Sequence, residues 1–433
     1  MSSRNLEHLL APRSVALVGA SDRIQGSWVA VMRNLLAGSF DGPVWAIGAP
    51  QSGFAGLRTY LNVADLPETP DLAVICAPPE AVPRIICELA QRGTRAVVVI
   101  TDELTVSACT NSTLTAAMLD AARPCELRIL GPGGLGMLLP RIRLNASSAS
   151  TLALPGNLAF IAQSGAHTAA MLDWALQFKV GFSCFLSLGE GADVDFADLL
   201  DYLCHDPHTR AILLDVESIT RARKFMSAAR AAARSKPVIV LKAGDAVYDA
   251  AFRRAGLLRA DTARELFEAA DALQAGNFQP SVQHLMEAPA PMLESFVPRP
   301  EEVRDIVRAA LSAGRKLLSD FQVRSVLAAY HVQFASEEGS GRARRVVADR
   351  GIPELFVSIA VDQTFGPVIR FGAAGLGADE SPDRVIELLP LDSTLAMELV
   401  SRTRVSARLD GQGGRAPVDR RALEYSLVQL ARA

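Results

Sequence analysis

Three short stretches combine residue types and spacing that can do chemistry. The first, VGASDRIQG at 18–26, leaves an apolar run, turns at Gly19 and enters a helical pattern near Gly26. Free N–H groups and the axial dipole at a helix start favour a phosphate, each interaction worth roughly 0.3–1 kcal/mol when exposed. Gly19 permits a tight turn, while Ser21 and Arg23 add a hydroxyl and a positive charge. The spacing is not GxGxxG, so the dinucleotide fingerprint is absent and a nucleotide-like ligand or a plain turn are both readings. Ile100, Thr101 and Asp102 end another apolar run and fall on the same edge.

The second stretch, AQSGAHTAA at 162–170, places Gln163, Ser164 and Gly165 before a helix. It can bind an anion, or Ser164 can simply cap the helix. His167, in the first helical turn, reads more readily as a surface or packing residue than as a nucleophile. The third is Glu217 in LLDVESI, at the end of a strand-like run. A carboxylate there can orient a histidine or accept its proton, or it can solvate a loop.

The surrounding pattern determines what must position these residues. SVALVGA (14–20), GPVWAIG (42–48), DLAVICA (71–77) and RAVVVIT (95–101) are apolar throughout and are separated by helical stretches such as PEAVPRIICELAQRG. Strands apolar on both faces that alternate with helices predict a parallel sheet covered on both sides. Residues 1–140 therefore read as one doubly wound domain. The rhythm restarts with NLAFIAQSG (157–165), FSCFLSLG (182–189), AILLDVES (211–218) and KPVIVLKAG (236–244), which predicts a flavodoxin-like domain over 150–275. This domain includes helices at DAVYDAAFRRAG and TARELFEAADALQ. Residues 276–300 hold five prolines and read as a linker. Within 301–433 the expected elements are a helical segment to 330, strands ELFVSIAVD and GPVIRFG, and helices near 393–402 and 420–432.

Composition bounds the partners. The chain has 433 residues, 49% hydrophobic, with a formal net charge of −3, which argues against binding nucleic acid through phosphate neutralisation. No apolar run reaches the roughly 20 residues of a membrane span, and MSSRNLEHLLAPRS lacks an apolar leader core. The six cysteines lie far apart without zinc-ligand spacing, so no metal site is expected and a reduced, cytoplasmic protein is.

Taken together, several phrases resemble one family. LEHLLAPRSVALVGAS, LPETPDLAVICAPP, LNASSASTLALPGNLAFIAQSGA, LDWALQFKVGFSCFLSLGEGADVDFADLLDYL and KFMSAARAAARSKPVIVLKAG are similar to the ADP-forming acyl-CoA synthetases, relatives of succinyl-CoA synthetase. VMRNLLAGSFDGPV is similar to the bacterial branch fused to GNAT protein lysine acetyltransferases. DQTFGPVIRFG and PLDSTLAMELVSRTRV resemble the end of that family's ATP-grasp domain.

The resemblance implies an α/β fold: a Rossmann-like CoA-binding domain, a flavodoxin-like succinyl-CoA-synthetase-type domain and a small, truncated ATP-grasp-like α+β piece. It implies coenzyme A near Gly19, Ala20, Ser21, Arg23 and Gly26 and the Ile100–Asp102 turn. It further implies a phosphate at Gln163-Ser164-Gly165 and Glu217 as the acidic partner of a phosphorylated histidine. Glu354 and Asp362 would be remnants of an ATP or ADP site with Mg. The implied reaction is acid, CoA and ATP giving acyl-CoA, ADP and phosphate, in a homo-oligomer or with a partner subunit.

The family's phosphohistidine follows the K-A-G of the last strand, whereas LKAG (241–244) here runs into DAVYDAAFRRAG. Between His208 and His284 there is no histidine. The family's GPNCLG turn reads GPGGLG (131–136), and its Asn-Pro-Lys reads Gly48-Ala49-Pro50-Gln51. These departures support a second expectation, a non-catalytic module that senses CoA or acyl-CoA.

Overall fold

The computed structural model describes residues 4–19, 26–48, 58–101, 108–274, 299–315, 318–330, 355–373, 383–410 and 418–431. Ala20, Ser21, Arg23, Asp102 and Glu354, with the 49–51 stretch and nearly all of the expected linker, lie outside the described residues. The chain divides into two compact units, one of 1–244 with 255–282 and one of 245–254 with 283–433.

The first unit opens with helix α1 (Leu6–Leu10) and strand β1 (Val15–Val18). Helix α2 (Ser27–Gly38), β2 (Val44–Ile47), β3 (Arg58–Tyr60), β4 (Leu72–Ile75), α3 (Val82–Arg92), β5 (Ala96–Val99), α4 (Ala108–Ala122) and β6 (Arg128–Leu130) follow. All six strands are parallel, in the order β3-β2-β1-β4-β5-β6. Every residue of β1, β4 and β5 is buried, as expected for runs apolar on both faces. The helices bury one stripe each: Trp28, Val31 and Leu35 on α2, and Val82, Ile85, Ile86 and Leu89 on α3. Helix α3 stops at Gly93, which takes the left-handed conformation.

Strands β7 (Gly136–Leu139) and β8 (Leu144–Ser147) form an antiparallel pair. Then come β9 (Leu154–Ala162), α5 (Gly165–Phe178), β10 (Gly181–Ser187), α6 (Phe196–Leu203), β11 (Ala211–Asp215), α7 (Ala222–Ser235) and β12 (Val238–Leu241). The seven-stranded sheet has the order β13-β12-β11-β9-β10-β7-β8, where β13 is Leu258–Ala260. Its parallel part has the flavodoxin order, and the β7–β8 pair extends the β10 edge antiparallel.

Helix α8 (Ala246–Ala255), expected to belong with this sheet, falls almost wholly in the second unit. Two contacts explain the assignment. Tyr248 meets Phe365 edge-on with ring centres 5.0 Å apart, and Arg253 pairs at 3.2 Å with Glu387, a carboxylate also held by Arg402 at 3.1 Å. Helix α9 (Ala263–Gln274) returns to the first unit and buries Leu266, Ala270 and Leu273.

The second unit also contains α10 (Pro300–Ser312), α11 (Asp320–Ala329) and a three-stranded antiparallel sheet. Its strands are β14 (Leu355–Asp362), β15 (Gly366–Ala373) and β16 (Arg384–Leu388). Ile369 and Phe371 of this sheet pack in one core with Leu399, Leu409 and Leu427 of α12 (Ser393–Ser401), α13 (Val405–Leu409) and α14 (Arg420–Leu430).

Candidate functional site

In open α/β sheets a ligand sits beyond the carboxyl ends of the strands, where the strand order reverses. In the first sheet that point lies between β1 and β4. Gly19 leaves β1 there with φ +104°, its N–H donating to the Ile47 carbonyl at 3.2 Å. A Cβ on Gly19 would stand 2.6 Å from the Cys76 carbonyl oxygen, so only glycine lets the two strand ends approach this closely. Gly26, with φ +136°, sits at the start of α2 without a side-chain cap.

At the end of β5, Ile100 donates its N–H to the Ile75 carbonyl at 2.9 Å. The Thr101 hydroxyl is buried with no hydrogen-bond partner among the described residues.

The GPGGLG turn, which lacks the family's Asn, links the two sheets through close backbone approach. A Cβ on Gly131 would lie 2.6 Å from the Val99 carbonyl, and one on Gly134 would lie 2.4 Å from the Ser187 carbonyl. Leu135 N–H donates to Ser187 Oγ at 3.0 Å, and Glu190 N–H to the Pro132 carbonyl at 2.9 Å. The turn also joins the two candidate edges. Gly136 faces Ile100, whose Cδ1 would lie 2.8 Å from an added Cβ, and Leu135 faces Gly165 at 3.8 Å by the same measure.

In the second sheet the order reverses between β9 and β11. Ser164, in extended conformation, caps α5 by accepting the His167 N–H at 3.3 Å. The N–H groups of Gly165 and Ala166 have no acceptor within the helix, which leaves them available to an anion. Gln163 Oε1 accepts the backbone N–H groups of Glu217 at 2.8 Å and Ser218 at 2.9 Å. Its own N–H donates to the Asp215 carbonyl at 3.2 Å.

The carboxylate that holds a histidine here is Asp215, two residues before Glu217. Its Oδ2 lies 2.9 Å from His167 Nδ1, and the carboxyl is 5% exposed while the imidazole is 52% exposed. Burial pushes the Asp215 carboxyl above its ordinary range, with Glu217 adding to the rise and His167 and Lys242 opposing it. Sequence reasoning passed over Asp215. The available signal was an acidic residue at the last position of the buried strand AILLD.

Asp362 ends β14, and its Oδ1 accepts the N–H groups of Thr364 and Phe365, both at 2.8 Å, which organises the hairpin turn. A cavity of about 660 Å³ is bordered by Arg4, Arg128, Asp193, Asp198 and Lys224. Arg128 there reaches from β6 to Asp193 at 2.8 Å and Asp198 at 3.1 Å. Among the described residues no group of three or more His, Cys, Asp or Glu could hold a metal ion, and no helix is long and apolar enough to cross a membrane.

A doubly wound domain followed by a flavodoxin-like one defines the class: a tandem α/β protein whose candidate ligand edges are the carboxyl ends of one parallel sheet and of the parallel part of a second. Residues 13–140 match the CoA binding domain, 155–246 the succinyl-CoA ligase like flavodoxin domain, and 343–433 the ATP-grasp domain. Over these three regions the chain is similar to the ADP-forming acyl-CoA synthetases.

It is 35% identical over 292 residues to the alpha subunit of an ADP-forming acetate–CoA ligase of Pyrococcus furiosus, covering 62% of this chain and 63% of that one. It is 33% identical to an ADP-forming acetate–CoA ligase of Archaeoglobus fulgidus, covering 61% of this chain and 41% of that one. A solved acetyl-coenzyme A synthetase of Candidatus Korarchaeum cryptofilum, in complex with phosphate and ADP, is 33% identical with a TM-score of 0.59 and 63% of each chain covered. The chain thus spans less than two thirds of the length of these relatives.

Proposed function

We propose that this chain binds coenzyme A or an acyl-CoA and takes part in ADP-forming acid–CoA ligation, in which acid, CoA and ATP give acyl-CoA, ADP and phosphate. Gly19, Ala20, Ser21, Arg23 and Gly26, with Ile100, Thr101 and Asp102, would hold CoA. Gln163, Ser164 and Gly165 would hold the phosphate beside Glu217. The observation that carries the reading is the Gly131–Gly136 turn, which sets Ile100 and Gly165 against successive residues and so brings the two edges together. The fit to CoA is supported by Thr101, whose buried hydroxyl lacks a partner among the described residues and suits a polar ligand atom at that edge. Bound CoA supplies the thiol that carries the acyl group; the chain's part is to bind and orient it.

ATP or ADP with Mg is assigned to the C-terminal region that matches the ATP-grasp domain, where Glu354 and Asp362 lie. A partner subunit fits the naming of the Pyrococcus relative as an alpha subunit. A homo-oligomer and a cytoplasmic setting complete the reading.

One observation favours a second reading, a CoA-sensing module without catalysis and akin to the acetyltransferase-fused branch. The sequence has no histidine between His208 and His284, where the family carries its phosphorylated one.

Calorimetric titration with CoA, acetyl-CoA, ADP and ATP separates the two. Saturable binding of CoA together with ADP or ATP supports the ligase, and CoA binding alone supports the sensor. Binding of none of the four overturns both.

A further inference from the structure

We infer that His167 is a phosphoryl acceptor at the β9–α5 turn, using Nε2 as nucleophile and taking its phosphoryl group from an acyl phosphate. The inference deepens the ligase reading by placing the phosphate carrier on a fixed helix.

Four observations converge on the imidazole. First, its Nδ1 stands 2.9 Å from Asp215 Oδ2, so the proton of the neutral ring sits on Nδ1 and the lone pair is on Nε2. Second, Asp215 is buried at the end of β11 while the ring is 52% exposed, so the orienting group is fixed and the reacting edge can be reached. Third, His167 lies in the first turn of α5, beside the free N–H groups of Gly165 and Ala166 that can receive phosphoryl oxygens. Fourth, β9 and β11 are hydrogen-bonded neighbours at the strand-order reversal, where a ligand is expected. The groups facing the pair are Gln163, Ser164, Glu217 and Lys242.

The step balances without another reactant. The Nε2 lone pair forms an N–P bond as the P–O bond to the acyl carboxylate breaks. Both electrons of that bond leave with the carboxylate. Nε2 carries no proton beforehand, so none is released, and the Nδ1 proton stays in its hydrogen bond. Asp215 is a positioning residue that stabilises the resulting cationic ring.

The test incubates the full chain with acetyl phosphate labelled at phosphorus. The expected result is acid-labile, base-stable label on the α5 peptide, as the Nε2 isomer because Nδ1 is engaged. His167→Gln should remove the label and His208→Gln should keep it. Asp215→Asn should slow labelling by about 10- to 100-fold, the range seen when a histidine at a metal site loses its orienting partner. Absence of label on the wild-type chain, label persisting in His167→Gln, or the Nδ1 isomer would overturn the proposal. Titration with CoA is run on the same samples. Retained CoA binding by His167→Gln shows an intact fold, and label on His167 in a chain that binds no CoA keeps the acceptor while removing the ligase reading.

Discussion

The side-chain oxygen of Gln163 accepts the backbone N–H of Glu217 at 2.8 Å, and in doing so fastens the turn after β9 to the turn after β11. The two residues are 54 apart in the chain, and the same oxygen also takes the Ser218 N–H. Gln163→Ala should cost about 1–2 kcal/mol, two ordinary hydrogen bonds lost at a partly exposed site. Gln163→Glu, which keeps an acceptor in place, should recover most of that loss. Urea midpoints of the two variants check the difference, and equal midpoints would show that the staple contributes nothing.

Gly19 tolerates no side chain. An alanine there combines a φ of +104° with a Cβ 2.6 Å from the Cys76 carbonyl. Gly19→Ala should destabilise the chain by roughly 1–3 kcal/mol and remove CoA binding, because the strand ends must separate. Thermal unfolding and CoA titration read the two effects, and unchanged behaviour in both would contradict the close approach described.

Arg128 joins the two α/β domains of the first unit. Its side chain is 12% exposed and pairs with Asp193 and with Asp198, which is 1% exposed. Without the guanidinium, Asp198 keeps Lys224 at 2.7 Å and Asp193 keeps the Ile129 N–H at 2.9 Å, so the loss is that of charge-assisted hydrogen bonds, about 1–3 kcal/mol. Arg128→Met should therefore lower stability by that order. A drop below about 1 kcal/mol, the worth of a surface pair, would show that the network is solvated.

Asp215 should leave a trace in the pH dependence of stability. Burial raises its native-state pKa above the ordinary carboxyl value of about 3.9. A group raised in this way contributes stability that is full below the unfolded-state value and is lost as pH rises through the native one. With His167 replaced by Gln in both chains, so that the imidazole does not titrate, the chain retaining Asp215 should lose stability relative to Asp215→Asn as pH increases from 4 upward. Denaturation midpoints across that range check the sign, and a relative gain with pH would contradict it.

Local composition already determined much of this molecule. The apolar runs at 71–77 and 95–101 became the buried parallel strands β4 and β5, because a run apolar on both faces has no stable place except inside a covered sheet. The helical stretch that became α3 and the strand–turn–helix start of α5 were equally readable. Short edge elements were not. Strands β3, β6 and β13 have three residues each, too few to display a period, and β7 and β8 are hidden among residues that resemble a loop.

The site divides along the same line. Gln163, Ser164 and Glu217 stand out in sequence because small polar or acidic groups end apolar runs, whereas the contact of His167 with Asp215, 48 residues away, does not. GPGGLG read as the loss of an asparagine, whereas its glycines let one backbone pass against another. Composition and periodicity act over a few residues and determine which segments are strands and helices. Strand order and close approach depend on which distant segments share a core, and only the tertiary structure decided that β9 lies beside β11, Ile100 beside Gly136, and His167 over Asp215.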